Sequence, residues 1–556
     1  MPAIIECVPN FSEGRDVRII EQITSEAETV EGVSLLNVDP GKATHRTVVT
    51  FVGNPESVVE AAFRCIRKAG ELIDMRTHKG EHPRMGATDV CPLIPVSGIT
   101  MEETAAWAGK LAERVGRELG IPVYLYEAAQ PDKSRSSLSA IRAGEYEGFA
   151  DKIKKPEWKP DYGPAVFDEK RGATAIGARD FLVAYNINLN TTSVKRANSV
   201  AFDVREAGRV KREGDPVTGN IIRDAEGQPL MIPGSLKSVK ALGWYIEEYG
   251  IAQISMNLTN LSVTPLHIAF DEVCRKAEAR GLRVTGSELV GLIPLKAMLD
   301  AGKYFLKKQK RSAGLPEKEL IRLAVLSMGL DQLAPFKAEE RIIEYRMNQP
   351  GASKLVRMTL AGFADETAGE SPAPGGGSVS ACIGALGASL AAMVANLSAQ
   401  KNDWEKFSGW AERAMDCQKE LLGLVDADTA AFEGIIHARN LPKTTEEEKA
   451  DRNQAIRKAT LRAIEIPFQV MTSAYRSMEV LKAMAVDGNP NSRSDAGVGA
   501  LCARSAVMGA YLNVCINVPE PNTDPQIISY LAEGKKIQTE AMQKEKEILE
   551  IVGLGL

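Results

Sequence analysis

Two of the five histidines in the chain, His78 and His82, lie in one short polar segment, HKGEHPRMGATD. With Glu81 they have the H-x-x-E-H spacing of one class of zinc peptidases, which requires both imidazoles on one face of a helix. Gly80 weakens a helix here, and Pro83 pushes the residue before it out of the helical backbone region. The spacing therefore favours a glycine-flanked loop that presents His82, with a zinc site as the alternative.

Proton transfer is the chemistry that suits His82. An imidazole, with an unperturbed pKa of about 6.5, can accept and donate a proton near neutral pH. His82 could also simply hydrogen-bond the loop into place, and the residue types leave these two roles open. His78 could orient the loop or bind a carboxylate.

A second candidate is a carboxylate on a helical segment in the last third of the chain. Five residues of the segment 411–437 are spaced three, four, four and three positions apart, so they share one helical face. They are Leu421, Leu424, Asp428, Phe432 and Ile435. At 100° per residue, Asp426 lies roughly 160° around the helix from Asp428. A carboxylate in an apolar wall is costly unless it has a partner. Asp428 is therefore either the partner of a buried base, for which Lys458 and Arg493 are candidates, or an acid/base group with a shifted pKa.

A glycine-rich segment, SPAPGGGS at 371–378, runs directly into a predicted helix. The free N–H groups at a helix start favour an anion, which makes a phosphate loop the specific hypothesis. No G-K-[ST] follows the glycines, and G-x-G-x-x-G is absent from the chain. Both are signatures of nucleotide binding. We therefore expect a tight helix entry and no nucleotide cofactor.

The elements that must position these residues change character along the chain. In the first part strands and helices alternate, which is typical of an α/β or α+β protein. Strands are predicted at 33–38, 47–52, 90–96, 122–126, 181–189, 252–258 and 283–286, and helices at 101–119, 192–207, 265–280 and from Pro55. We interpret this part as two similar halves, near 1–180 and 181–330. After a linker around NQPGAS, helical periodicity predicts an all-α bundle with helices at 378–398, 403–439, 445–485, 494–517 and 525–552.

Composition limits the classes of protein that fit. The net charge of −5 provides no global basic field for nucleic acid. The eight cysteines form no C-x-x-C pair, which favours reduced thiols over a disulfide framework or zinc ribbon. The N-terminal sequence does not have the pattern of a signal peptide, so we expect a cytoplasmic protein. Val379–Leu397 is uncharged and long enough to span a bilayer, but its small residues favour a buried helix.

The chain from 1 to 345 resembles glutamate formiminotransferase. The resemblance is carried by VPNFSEGRD (8–16), THRTVVTFVG (44–53), LIDMRTHKGEHPRMGATDVCPLIPV (72–96), IRAGEYEG (141–148), GARDFLVAYNINL (177–189), VKALGWYIEEYGIAQISMNL (239–258) and ELVGLIPLKAMLDA (288–301). It implies that His82 is the catalytic acid/base. It also implies that folate binds Gly163, Pro164, Ala165, Val166, Phe167, Asp168, Glu169, Lys170, Arg171 and Gly172. It assigns no role to the segment 212–233, which is dominated by glycine, proline and charge.

The remainder resembles formiminotetrahydrofolate cyclodeaminase and the related methenyltetrahydrofolate cyclohydrolase-type helical proteins. The matching segments are SPAPGGGSVSACIGALGASLAAMVANLS (371–398), LVDADTAAF (424–432) and GNPNSRSDAGVGA (488–500). The resemblance implies that Asp428 is the catalytic aspartate.

Together the two resemblances imply a multidomain, bifunctional folate enzyme of histidine degradation. Its expected parts are two α/β (α+β) formiminotransferase subdomains with mixed sheets at 1–180 and 181–345, a linker at 346–355 and an all-α cyclodeaminase domain at 356–556. Its substrates would be N-formimino-L-glutamate and tetrahydrofolate, the latter polyglutamylated, without metal or nucleotide. Family resemblance implies a homo-oligomer, a ring-like octamer, that binds neither nucleic acid nor membrane. The alternatives are a zinc metallopeptidase with a helical scaffold and a catalytically inactive folate-binding assembly protein.

Overall fold

A computed structural model describes residues 3–41, 45–79, 84–215, 218–347, 355–371, 373–400, 403–519 and 524–553. The chain divides into two compact units. The first comprises Met1–Ala297 and Met328–Gln349, and the second comprises Met298–Ser327 and Pro350–Leu556.

The first half of the first unit contains a seven-stranded mixed sheet. Its strands are β1 (Ile4–Cys7), β2 (Asn10–Phe11), β3 (Val33–Gly41), β4 (Arg46–Gly53), β5 (Thr88–Ser97), β6 (Val123–Glu127) and β7 (Thr174–Ala178). β1 and β2 lie between β4 and β5, and β3 pairs with the other side of β4; these pairings are antiparallel. β7 is parallel to both β5 and β6. The segments of the first candidate site therefore lead into β5 and β7.

Helices in this half cover the sheet. They are α1 (Val17–Glu28), α2 (Pro55–Leu72), α3 (Met101–Arg114), α4 (Leu138–Arg142) and α5 (Glu145–Lys152). α2 begins where the sequence predicts it, because Pro55 occupies its first turn and the Asn54 side chain accepts a hydrogen bond from the Ser57 N–H at 2.9 Å. The segment that contains His78 follows α2 and leads into β5.

A second, four-stranded sheet follows in the order β11-β12-β8-β13 and is antiparallel in all its pairings. The elements here are β8 (Val183–Leu189), α6 (Val194–Val204), β9 (Arg209–Val210), β10 (Met231–Ile232), β11 (Val239–Ile246), β12 (Ile251–Leu258), α7 (Leu266–Glu278) and β13 (Val284–Val290). α6 and α7 pack on this sheet. β9 and β10 pair with each other and enclose most of the segment that lacked a role.

Helices α8 (Leu295–Lys308) and α9 (Glu317–Met328) come next along the chain and lie almost wholly in the second unit, whereas α10 (Ala338–Arg341) and α11 (Ile343–Met347) belong to the first. The second unit continues with α12 (Leu360–Thr367), α13 (Gly376–Ala399), α14 (Trp404–Arg439), α15 (Glu446–Asp487), α16 (Arg493–Ile516) and α17 (Pro525–Gly553). The fold-class prediction, two α/β parts followed by a helical part, is confirmed. Parallel and antiparallel strand pairs occur together in the first of the two sheets, whereas the pairs of the second sheet are all antiparallel.

The core of the second unit depends on small side chains in α13. This helix packs against α14, α15 and α16, and Ala381, Ala388 and Ala395 on it are fully buried. Gly376–Ala399 and Pro490–Ile516 are both long and apolar enough to cross a membrane, but 61% and 39% of their most apolar windows are buried inside the protein. Because core helices meet the same criterion, these two helices do not by themselves indicate a membrane protein.

Candidate active sites

The first candidate site lies around the segment that contains His82. His82 itself, with Gly80, Glu81 and Pro83, lies outside the described residues. The two flanks of this segment are described, and they are held by a network centred on Arg84, which is only 6% exposed.

Arg84 joins the segment to the start of α5. Its Nη2 donates to Glu147 Oε1 at 2.6 Å and its Nη1 to Glu147 Oε2 at 2.9 Å, which is a bidentate contact. Nη1 also donates to Glu145 Oε2 at 3.2 Å, and the guanidinium lowers the pKa of Glu147. Glu147, and Glu145 by a single contact, thereby hold the Arg84 flank in place.

Both ring nitrogens of His78 have partners in this network. Nε2 lies 2.9 Å from the His45 carbonyl oxygen, and Nδ1 accepts from Arg84 Nε at 3.3 Å. This pattern requires the neutral tautomer that carries its proton on Nε2. Burial also lowers the pKa of His78, which favours the neutral form. Both ring nitrogens of His78 are therefore engaged by protein groups, and neither is open to a zinc ion.

His45 extends the network to the start of the chain. Its ring centroid lies 4.4 Å from that of His78, and its Nδ1 accepts from the Gly14 N–H at 3.2 Å. Glu13 Oε1 is 3.6 Å from the same nitrogen. Three stretches of sequence, around residues 13, 45 and 78, are thereby connected next to the candidate histidine. Across the described residues, no group of three or more His, Cys, Asp or Glu side chains is placed to hold a metal ion.

The segment Gly163–Gly172, where the resemblance places folate, lies against the same flanks. The Met75 N–H donates to the Lys170 carbonyl at 2.9 Å, and the Ala87 N–H donates to the Arg171 carbonyl at 2.8 Å. These two bonds lie on opposite sides of the segment that contains His82. The structure therefore brings together two candidate regions that are about 80 residues apart in the sequence.

A close backbone approach holds this junction. A side chain at Gly172, whose φ is +69°, would place its Cβ 2.1 Å from the Met85 carbonyl oxygen. A Cβ on Gly86 would lie 2.4 Å from the Ala173 carbonyl oxygen. Both positions therefore require glycine.

Within the folate segment, Asp168 organises the backbone while other residues face solvent. Its Oδ1 accepts from the Arg171 N–H at 2.9 Å, and its Oδ2 from Arg171 Nε at 2.6 Å. Phe167 packs near Tyr146 and Phe149, with ring centroids 5.5 and 5.9 Å away. The exposed residues are Gly163, Pro164, Ala165, Val166, Glu169 and Lys170. The segment thus presents several solvent-exposed residues beside a cluster of aromatic rings.

The second candidate site forms where the glycine-rich segment meets α14. Ser378, at the start of α13, is fully buried, and its Oγ lies 3.1 Å from Asp428 Oδ2 and 2.9 Å from the Val425 carbonyl oxygen. Burial raises the pKa of Asp428, and hydrogen bonds from the Ser378 hydroxyl and backbone N–H oppose that rise. Asp428 is therefore a carboxyl group whose protonated form is favoured by its surroundings.

Gly377 allows Asp428 to approach the start of α13. A Cβ at this position would lie only 2.1 Å from Asp428 Oδ1, so no side chain fits there without displacing the carboxylate. The glycines in this segment therefore admit a carboxylate of the same chain. Sequence reasoning treated the glycine run and Asp428 separately and missed Ser378 as the contact between them; both segments carried the family resemblance, which was the available signal.

The predicted apolar face of α14 is buried on the N-terminal side of Asp428 and more exposed on its C-terminal side. Leu421 and Leu424 are buried, whereas Phe432 is 38% exposed. Asp426 accepts a hydrogen bond from the Leu355 N–H at 2.7 Å, away from Ser378. Neither suggested base, Lys458 or Arg493, is among the groups that shift the pKa of Asp428. The side-chain hydrogen-bond partner that the described structure gives Asp428 is thus the uncharged hydroxyl of Ser378.

Comparison with known sequences separates the same regions. The N-terminal subdomain model of the formiminotransferase domain matches residues 4–179, a formiminotransferase domain model matches 184–348, and a formiminotransferase-cyclodeaminase model matches 359–535. The formimidoyltransferase-cyclodeaminase of Gallus gallus is 44% identical over 555 residues, 99% of this chain and 97% of the relative. The glutamate formimidoyltransferase of Streptococcus pyogenes serotype M1 is 39% identical over 307 residues, 55% of this chain and 94% of the relative.

Among solved structures, the formiminotetrahydrofolate cyclodeaminase of Thermotoga maritima is 28% identical and covers 35% of this chain and 96% of its own, with a TM-score of 0.31.

Proposed function

Because the chain belongs to the formimidoyltransferase-cyclodeaminase family, we propose that it performs its two reactions at separate sites, transfer at His82 and cyclisation at Asp428. It is a bifunctional folate enzyme. It transfers the formimino group between N-formimino-L-glutamate and tetrahydrofolate, and it converts 5-formiminotetrahydrofolate into 5,10-methenyltetrahydrofolate with release of ammonia. Family membership does not favour a zinc peptidase or an inactive assembly protein.

In the transfer reaction His82 moves one proton. N5 of tetrahydrofolate attacks the formimino carbon and forms a tetrahedral intermediate. His82 accepts the proton from N5 and gives it to the glutamate nitrogen as the bond from that nitrogen to the carbon breaks. The reverse reaction follows the same steps backwards, with glutamate as the attacking amine. One group that is both base and acid suffices, because each direction removes one proton and returns one.

In the cyclisation Asp428 acts first as an acid. N10 attacks the formimino carbon while the protonated carboxyl gives its proton to the imino nitrogen. The resulting carboxylate accepts the N10 proton and passes it to the same nitrogen, which leaves as ammonia. The product carries one positive charge, and the Asp428 carboxylate takes up one proton from solvent before the next turnover. A pKa that burial raises suits this role, because the carboxyl must hold a proton before it can donate one.

One observation supports each assignment. For the transferase site it is the pair of backbone hydrogen bonds from Met75 and Ala87 to Lys170 and Arg171, which join the proposed folate segment, Gly163–Gly172, to both flanks of the segment that contains His82. For the cyclodeaminase site it is the hydrogen bond between Ser378 and Asp428 at 3.1 Å.

Two substitutions test the proposed division in the full chain. His82→Ala should abolish consumption of N-formimino-L-glutamate while ammonia is still released from supplied 5-formiminotetrahydrofolate. Asp428→Asn should do the reverse, because its amide cannot supply the acidic proton. Removal of a catalytic acid/base group typically lowers the rate about 10²- to 10⁴-fold.

Asp426→Asn is the matched control for the second substitution, since it changes a carboxylate two residues away that bonds Leu355 instead of Ser378. The proposal fails for the cyclodeaminase if Asp426→Asn is the more damaging of the two. It fails for the transferase if His82→Ala retains wild-type transfer.

We extend the proposal to the assembly and its substrates. The folate is polyglutamylated, neither a metal nor a nucleotide takes part, and the chain forms a cytoplasmic homo-oligomer, a ring-like octamer. We also propose that the subdomains end at residues 180 and 345 and that residues 346–355 form the linker. Full activity in the presence of a chelator tests the first part, and a solution mass of eight chains tests the second.

A further inference from the structure

A carboxamide on α16 lies beside the same pair of glycines that Asp428 meets from α14, and neither proposed reaction uses it. A Cβ on Gly376 would lie 3.2 Å from Nδ2 and 3.6 Å from Oδ1 of Asn513. A Cβ on Gly377 would lie 2.1 Å from Asp428 Oδ1. Consecutive Cα atoms are about 3.8 Å apart. The carboxamide and the carboxyl therefore lie beside a single peptide step at the start of α13.

Close packing between α13 and α16 fixes the position of this carboxamide. A Cβ on Gly509 would lie only 2.3 Å from Ser380 Oγ, so there is no room for a side chain between the two helices here. Ser380 Oγ in turn donates to the Gly376 carbonyl at 2.7 Å. Asn513 follows Gly509 by four residues and therefore shares its helical face. The packing thus holds Asn513 next to the glycines.

The orientation of the Asn513 side chain follows from a hydrogen bond within α16. Nδ2 donates to the Gly509 carbonyl oxygen at 2.9 Å. Because a carbonyl oxygen only accepts, the NH2 group of the amide must be the end that faces Gly509. Oδ1 is then the other end of the amide, and among the residues that the structure describes no group donates to it. An unused acceptor is therefore left beside Asp428.

The side of this arrangement that carries Asn513 is open to solvent. Gly376 is exposed, and Asn513 and Asp428 are half-buried, whereas Gly377 and Ser378 are buried. A substrate that approaches Asp428 over the exposed Gly376 therefore contacts Asn513 as well.

We propose that Asn513 determines specificity at the cyclodeaminase site, where its Oδ1 accepts a hydrogen bond from the imino N–H of the formimino group. The inference rests on the assignment of the cyclisation to Asp428. A protonated carboxyl donates to an imino nitrogen or to a formyl oxygen, so Asp428 alone does not distinguish a 5-formimino from a 5-formyl folate. The imino nitrogen also carries a hydrogen, which the formyl oxygen lacks. Only an acceptor can recognise that hydrogen, and Asn513 Oδ1 supplies one.

The same contact disfavours the 5-formyl analogue. Its oxygen would face Asn513 Oδ1 as a second acceptor, with no hydrogen between the two atoms, and each would have lost a hydrogen bond to water. Rotation of the amide would present Nδ2 instead, but it would break the hydrogen bond to the Gly509 carbonyl. The bond within α16 therefore keeps the acceptor in place and maintains the discrimination.

Two constants measured on the full chain without glutamate test the proposal. They are kcat/KM for ammonia release from 5-formiminotetrahydrofolate and the inhibition constant of 5-formyltetrahydrofolate in the same assay. Asn513→Ala should lower kcat/KM about tenfold, the factor that one hydrogen bond supplies. The inhibition constant should not rise, because the variant removes the contact between two acceptors. The alkaline limb of the pH profile should stay in place, since a carboxamide does not titrate.

Asn517→Ala is the matched control. It removes a carboxamide one turn further along the chain, whose Nδ2 donates to the Ala463 carbonyl at 2.9 Å, and it should leave the ratio of the two constants unchanged. Asn513→Leu is a second variant of similar size that also lacks an acceptor, and it should shift the ratio as Asn513→Ala does. It keeps the test decisive if alanine at this position lowers the thermal midpoint.

The inference alone is overturned if the variants of Asn513 weaken substrate and inhibitor equally, or if they change neither constant. It is also overturned if Asn517→Ala shifts the ratio as much as Asn513→Ala. A wild-type chain that releases no ammonia from 5-formiminotetrahydrofolate would instead overturn the assignment of Asp428 and this inference together, so the two failures are distinguishable.

Discussion

The two candidate sites hold an acid/base group by different means. Around the first, a polar network connects segments near residues 13, 45, 78, 84 and 147, so the described flanks of the segment that contains His82 are held by several separate hydrogen bonds. In the second, Asp428 lies on one long helix and meets the start of another, with Ser378 and Gly377 as its immediate neighbours. One site depends on a distributed network, and the other on the fit between two helices.

This difference predicts unequal tolerance to substitution. Loss of one bond from a network leaves the remaining bonds in place, whereas a methyl group inserted between two packed helices displaces the reacting group itself. The largest effects of conservative substitutions outside the catalytic residues should therefore fall on the second site.

Gly377→Ala is the sharpest test of that expectation. Its Cβ would lie 2.1 Å from Asp428 Oδ1, so the carboxylate must move by about 1 Å or more. We expect ammonia release to fall about 100-fold, as for other misplacements of this size, with transfer unchanged. Initial rates with each substrate measure both effects.

Gly423→Ala is the control for that substitution. Gly423 lies on α14, five residues before Asp428, and a Cβ there would meet no atom within 4 Å. Alanine is also the better helix former, so activity should persist and stability should not fall. Equal ammonia release by the Gly377→Ala and Gly423→Ala variants would contradict the close approach.

Arg84→Gln probes the network of the first site and should have a smaller effect. It removes the bidentate contact with Glu147 and the bond to His78 Nδ1, while the remaining bonds around His45 stay in place. Charge-assisted hydrogen bonds contribute about 1.5–3 kcal/mol each, so we expect a 10- to 100-fold decrease in transfer. Ammonia release from 5-formiminotetrahydrofolate should be unchanged.

Arg84→Lys keeps the charge without the fork and should fall between wild type and Arg84→Gln. Arg117→Gln, which removes a guanidinium whose side chain is 67% exposed, should leave both activities unchanged. Loss of both activities in Arg84→Gln would indicate unfolding instead of a local role.

The sequence predicted the five long helices of the helical part, α13 to α17, to within two residues at each end, and two of them have clear start signals. α14 begins after Asp403, whose side chain accepts from the Lys406 N–H, and α15 has a capping box formed by Thr445 and Glu448. The strand β11 was missed because its exposed positions carry Leu242 and Trp244 as well as Lys240, so the alternation of burial is not an alternation of apolar and polar residues. β1 and β2 are four and two residues long and are defined by pairing with distant strands, which no local pattern contains.

The sequence proposed residues for the candidate sites but not the contacts that these residues and their neighbours make. Spacing singled out His82 and Asp428, and the family resemblance supplied the folate segment. The bonds from Met75 and Ala87 to that segment join backbone atoms about 80–100 residues apart, and backbone atoms carry no sequence signal. Ser378 was equally hidden, because a serine at a helix start usually caps its own helix, whereas this one reaches Asp428 on another.

Ser378→Ala should produce the smallest change of the series, a shift in pH dependence more than a loss of rate. The Ser378 hydroxyl lowers the pKa of Asp428 against the effect of burial, so its removal should raise that pKa further. Because the protonated carboxyl starts the cyclisation, activity should then persist to higher pH, and the alkaline limb of the kcat/KM profile for ammonia release should move upward. Ser389→Ala, which removes a hydroxyl that donates to the Ala385 carbonyl of its own helix, should leave that limb in place. If the limb moves to lower pH in Ser378→Ala, Asp428 works as a base from its ionised form. The second site would then not hold an acid, and the comparison between the two sites would be wrong on that point.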